Sequence, residues 1–264
     1  MLSIDQYAYT NRLSSAHPGE KFAFATVTMT VCLASDSIAT CLAATLLMVS
    51  AVIVRAGIPC KFYFKLMTLP LSFLLIGVAT VAVSISFSAP DGEYLWGMET
   101  GRLWAGVYSG DAEKAALIFF KSQGAVSSLY FLSLTTPVTE INWILRKLKA
   151  PAILVELMNL IYRFIFVLAE TADKIYTSQS SRLGYKNIRS GYHSFGQLVS
   201  NIFLKSYHRS GMLLDTMTAR CYTGEIRVLE PRYKVSHRNV ACIILVEIFL
   251  TALTLSLKLN LIKL

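Results

Sequence analysis

The chain has 264 residues, of which 54% are hydrophobic and only 16% charged, with a net charge of +9. Soluble domains average about 25% charged residues, so the composition excludes an ordinary soluble domain and predicts a multi-pass membrane protein. In so apolar a chain the basic excess points to Lys and Arg held on the cytoplasmic side of the bilayer, not to nucleic acid.

Met1 to Glu20 is polar, carries Tyr7 and Tyr9, and lacks the short apolar core of a cleaved signal peptide. It reads as a cytoplasmic lead-in. An apolar run from Lys21 to Ser35 and a second from Ile38 to Val54 predict a helical hairpin with Asp36 in its outer turn. Arg55, Lys61 and Lys65 then cluster as a short cytoplasmic loop requires. Leu66 to Phe87 predicts a third span, kinked at Pro70.

Ser88 to Lys114 holds two basic residues against five acids and is placed outside, with Trp96, Trp104 and Tyr108 suited to the membrane interface. Ala115 to Thr135 predicts the fourth span, its Lys121 near the outer end. Pro137 to Lys149 predicts a short amphipathic helix with Ile141, Ile144, Leu145 and Leu148 on one face.

Ala152 to Thr171 is apolar enough to insert on hydropathy alone. Its large apolar residues contribute roughly −4 to −7 kcal/mol, while Arg163 costs about 2.5–3.5 kcal/mol and Asn159 and Glu156 add more. Glu156, Asn159, Arg163, Glu170 and Lys174 also form one polar stripe at helical spacing. Charge decides the matter. Val138 to Arg238 carries 15 Lys and Arg against 7 Asp and Glu, and a span here would export that excess. The segment is therefore expected to be a cytoplasmic amphipathic helix packed on its neighbours.

Phe195 to Thr218 predicts a second long helix, with Val199, Phe203, Tyr207, Leu214, Met217 and Cys221 along one face. Val240 to Leu257 predicts the last span. The fold class expected is an all-α integral membrane protein with about five membrane helices and three cytoplasmic coupling helices, two of them long and crossing. The expected divisions are residues 1–20, 21–136 with the external loop 88–114, a coupling domain at 137–238, and 239–264.

The chain carries no Walker loop, nucleophile elbow or zinc-protease helix. Its four histidines share no ligand spacing, and its five cysteines are scattered. Neither catalytic nor metal-binding residues are expected. The strongest chemical features are two motifs at the ends of the long helices, Ser181-Arg182-Leu183-Gly184 and Ala219-Arg220-Cys221-Tyr222-Thr223-Gly224. Arginine offers five donors in a fixed fork, and a cation at a helix C-terminus also suits the helix dipole. Gly184 and Gly224 are expected to release the chain from helix. Glu247 lies mid-span in the last helix with Lys121 as a possible partner; a structural charge pair or a water-facing residue is the plainer alternative.

This layout resembles the T component of energy-coupling factor transporters, the EcfT family, whose members carry two short x-Arg-x motifs, most often Ala-Arg-Gly, on two cytoplasmic coupling helices. Here the matches are Ser181-Arg182-Leu183 and Ala219-Arg220-Cys221. The lead-in Ile4 to Arg12 with His17-Pro18, and Leu145 to Pro151 running into Leu160 to Phe164, are similar to the cobalt branch, CbiQ. The resemblance implies that Arg182 and Arg220 dock into grooves on a pair of cytoplasmic ATPases, which bind ATP and magnesium. It also implies a CbiM-like membrane subunit that binds the metal ion, a small CbiN-like accessory subunit, no cofactor on this chain, and a place in the bacterial inner membrane with the N-terminus cytoplasmic. Leu183 and Cys221 depart from the family's glycine. A nickel transporter, a membrane enzyme acting on lipid headgroups, and a permease with its own substrate path are the alternatives.

Overall fold

The computed structural model describes residues 3–82, 84–86, 94–100, 103–222, 233 and 236–262. The elements run α1 (Ser3–Thr10), α2 (Pro18–Ala34), α3 (Ile38–Ser50), α4 (Cys60–Ala82), β1 (Ser84–Ser86), β2 (Tyr94–Thr100), β3 (Leu103–Tyr108), α5 (Ser109–Thr135), α6 (Val138–Lys147), α7 (Ala152–Ser181), α8 (Ile188–Ala219) and α9 (His237–Ile262). A π-turn over Ala51–Arg55 prolongs α3. They form two compact units, one of Met1–Pro137 with Arg232–Leu264 and one of Val138–Pro231.

In the first unit α1, α2, α3 and α4 all pack on α5. Met48, Val52, Tyr63, Met67, Phe131 and Leu134 are buried at this junction. Among membrane helices such packing exchanges lipid contacts for protein contacts, so close fit rather than water exclusion holds them. Gly124 shows how close: a Cβ there would collide with the Cys32 Sγ, which is buried with Cys41 and Ala44.

Polar side chains fix the ends of these helices. The Asn11 Nδ2 donates to the carbonyl of Ala8 at 2.7 Å and of Leu134 at 3.3 Å. The Lys21 Nζ donates to the Thr135 carbonyl at 3.0 Å, placing a cation at the negative end of the α5 dipole. The ring of His17 caps α2, its Nδ1 accepting from the Gly19 N–H at 3.1 Å, with Pro18 in the first turn. The lead-in is thus a packed and bonded element. Glu20 accepts from the Ser236 N–H at 3.0 Å and so fixes the approach to α9.

The third predicted span ends early. Helix α4 runs from Cys60 only to Ala82, and Ser84–Ser86 is strand, in keeping with the period-two alternation of Val83-Ser84-Ile85-Ser86-Phe87. The acidic segment adds an antiparallel sheet in the order β1-β3-β2 to the helical fold. The side chains of Trp96, Trp104 and Tyr108 lie outside the described residues. Among the described residues, five helices are long and apolar enough to cross a membrane: Ile38–Arg55, Cys60–Ala82, Gly110–Thr135, Ala152–Ser181 and His237–Ser256. The set differs from the expected one at two places. The run after Lys21 forms α2, of 17 residues, and α7 qualifies by length and apolarity.

In the second unit α6 is tied to α7 by the Asn142 Nδ2, which donates to the Asn159 Oδ1 at 2.7 Å. Helix α8 returns along α7 and meets it at three levels: Gln179 with Ser194, Phe164 with Arg209, and Glu156 with Tyr222. The polar stripe of α7 therefore faces its neighbours at Glu156 and Asn159. Its apolar residues Ile153, Leu157, Ile161 and Ile165 are exposed. Phe195, Val199, Phe203 and Tyr207 form a second exposed apolar row on α8.

Candidate functional site

The two long helices of the second unit end in the same way. Arg182 closes α7 with φ −95° and ψ 17°, and Arg220 closes α8 with φ −98° and ψ 20°. The following residue is left-handed in each case, Leu183 at φ 61° and Cys221 at φ 58°. The Gly184 N–H reaches the Gln179 carbonyl at 2.8 Å and the Leu183 N–H the Ser180 carbonyl at 3.0 Å. The Tyr222 N–H reaches the Met217 carbonyl at 3.0 Å and the Cys221 N–H the Thr218 carbonyl at 3.0 Å. This is the Schellman termination, repeated on two helices. Chain release comes at Leu183 and Cys221, because the turn demands its left-handed residue directly after the arginine. That corrects the role expected of Gly184; Gly224 lies outside the described residues.

The third motif residue is the left-handed one, where glycine is at ease and a side chain costs about 1–2 kcal/mol. Leu183 and Cys221 hold the same turn against that cost. Gly184 serves a different end. A Cβ there would stand 2.7 Å from the Ser194 Oγ and 2.9 Å from the Gln179 carbonyl oxygen, so its smallness lets α8 close on the turn. Ser190 and Ser194 both donate to the Gly184 carbonyl, at 2.8 and 2.9 Å, and the Tyr185 hydroxyl donates to the Gln179 Oε1 at 2.9 Å.

The second motif is braced differently. The Tyr222 hydroxyl donates to the Glu156 Oε2 at 2.8 Å, pulling the end of α8 against the first turns of α7. Arg182 lies 26 residues beyond Glu156 on the same helix, which at 1.5 Å per residue separates the two motifs by about 39 Å. Ser181, Arg182, Leu183, Ala219, Arg220 and Cys221 are all exposed. Neither arginine side chain makes an ion pair or hydrogen bond among the described residues. Two identical exposed forks on rigid helix ends are suited to bidentate recognition of carboxylates or carbonyls. The supports at Gln179, Ser190 and Ser194 carry no motif signal in the sequence, and Tyr222, though it stands in the second motif, has its partner 66 residues away.

Lys121 and Glu247 do not pair with each other. The Lys121 Nζ meets the Asp36 Oδ1 at 3.0 Å, tying α5 to the α2–α3 turn. Glu247 faces α2 instead, its Oε1 accepting from the Thr28 hydroxyl at 2.5 Å. Lys121 lies near the middle of α5, not toward one end as expected, because the helix begins at Ser109, and Glu247 lies in the body of α9. Among the described residues no three His, Cys, Asp or Glu gather as a metal site.

A profile of the CbiQ family, described as cobalt transport protein, matches residues 10–231. The chain is 32% identical over 250 residues to an uncharacterized protein of Methanocaldococcus jannaschii, covering 95% of this chain and 91% of that one. It is 25% identical over 235 residues to the cobalt transport protein CbiQ of Salmonella typhimurium, covering 86% of this chain and 100% of that protein. A putative fused cobalt transport protein CbiMQ of Methanocorpusculum labreanum is 32% identical over 178 residues, which is 67% of this chain and 29% of the longer fused one.

Proposed function

The chain belongs to the CbiQ family of cobalt transport proteins, and from that membership we propose that it is the energy-coupling membrane subunit of an ATP-driven cobalt importer. It is a multi-pass membrane component of transport. In this reading Arg182 and Arg220 each enter a groove on one of two cytoplasmic ABC ATPases. The ATPases bind ATP and magnesium, and ATP-driven closure moves the two motifs. Helices α7 and α8 carry that motion to a CbiM-like membrane subunit that holds the metal ion, with a CbiN-like accessory subunit beside it. The fused CbiMQ relative, in which two transport components share one chain, supports the CbiM-like partner.

The observation that carries the reading is the repeated helix ending, with exposed arginines set by the same turn about 39 Å apart. Two separate contacts of one kind suit two copies of one partner. The 15 basic against 7 acidic residues of Val138 to Arg238 support a cytoplasmic place for α7, α8 and the N-terminus. The exposed apolar rows of both helices then offer surface to partner subunits. Nickel is the alternative cargo, separated from cobalt by competition in the uptake assay. The direct test is affinity capture of the tagged chain with its ATPases. Two ATPase copies per chain are expected, with the Arg182→Glu, Arg220→Glu double variant losing both while still inserting; full retention would refute the role.

A further inference from the structure

Glu247 lies ten residues beyond His237 on α9, about 15 Å along the axis and so near the middle of a hydrocarbon layer roughly 30 Å thick. Its side chain is buried, with 8% of the residue exposed. The Thr28 hydroxyl satisfies Oε1, but Oε2 is buried and has no hydrogen-bond partner among the described residues. The same residue lines a groove of about 580 Å³ between α2 and α9, walled by Ala23, Val27, Ile243, Ile244 and Ile248. Val27, Ile244 and Ile248 are exposed on it. The groove wall is mostly apolar, with His17, Glu20 and Thr251 also lining it, and it carries an acceptor oxygen without a hydrogen-bond partner among the described residues.

We propose that this groove receives a transmembrane helix of the partner membrane subunit, and that Oε2 of Glu247 accepts a hydrogen bond from a hydroxyl, amide or cationic side chain on that helix. Depth selects the occupant. Lipid headgroups lie at the interface, well short of the bilayer centre, and acyl chains carry no donor. A buried ionisable group in a membrane helix pairs inside protein or lines water, and the walls here are mostly aliphatic. A second membrane protein that shares a chain with a relative of this one is the neighbour at hand. The identity of that partner rests on the transport role proposed above; the groove and its carboxyl do not.

The test uses the whole transporter in its native membrane, with the photo-crosslinker benzoylphenylalanine placed at Ile248 in the groove or, as control, at Leu245, an exposed α9 residue outside it. Irradiation is expected to join position 248 to the membrane subunit several-fold more than position 245. Glu247→Leu should reduce that yield, and Thr28→Val, which removes only the internal hydrogen bond, should leave it. If Glu247→Leu does not insert, Ile244→Trp gives the same readout by filling the groove while keeping the carboxyl. Equal yields at 245 and 248, crosslinks to lipid or to a second copy alone, or no effect of the groove variants would overturn the proposal. ATPase capture from the same membranes reports the transport role separately, so ATPases present without the 248 crosslink refutes this inference alone.

Discussion

The arginines matter because of the residue that follows each of them. Leu183 and Cys221 hold left-handed backbone for which they are poorly suited, at about 1–2 kcal/mol apiece by the ordinary cost of that conformation. Replacing either by glycine should firm its turn, offset in part by the added freedom of the unfolded chain. The expected gain is up to about 1 kcal/mol, read as slower hydrogen exchange at the Gly184 or Tyr222 amide; no slowing would mean the turn carries no strain. The motifs themselves are legible in sequence, since an arginine between small or apolar residues after a long amphipathic run is visible as written. The left-handed turn is not legible where glycine is absent, because leucine and cysteine give no sign of it. Asp36–Lys121 is a weaker device: Asp36 is 63% exposed, and exposed pairs contribute about 0–1 kcal/mol. A double-mutant cycle across it should return less than about 1 kcal/mol.

At the scale of elements, small residues mark where helices meet. Gly124→Leu should force α5 away from Cys32 and cost about 1–3 kcal/mol, the range for overpacking a tight site. Lower thermal stability in detergent with the same helical content would show it; unchanged stability would mean the helices can part freely. Gly184→Ala should disturb only the α7–α8 junction, where its Cβ meets Ser194 and Gln179. Most helices were visible as apolar runs between charges. Their ends were less so. The strands at 84–108 were hidden inside an acidic, glycine-bearing stretch that hydropathy treats as loop. The polar residues of α7 find polar partners at Asn142 on α6 and at Tyr222 just beyond α8. Such partners are invisible to the periodicity of a single helix.

For the whole molecule, the division into a bundle around α5 and an α6–α8 unit gives the transport reading its mechanical sense. One unit holds most of the long apolar helices, and the other presents two stiff levers with matched ends. The central claim is that those ends pass ATP-driven motion to metal entry. Breaking a desolvated charge contact costs about 2–5 kcal/mol, and each 1.4 kcal/mol is a factor of about ten. The measurement is cobalt uptake into vesicles holding the complete transporter, with ATP inside the assay compartment of the ATPases. The Arg182→Glu, Arg220→Glu variant should insert normally, leave the ATPases able to hydrolyse ATP, and import cobalt at less than about a tenth of the unaltered rate by that arithmetic. Uptake at the unaltered rate would contradict the account.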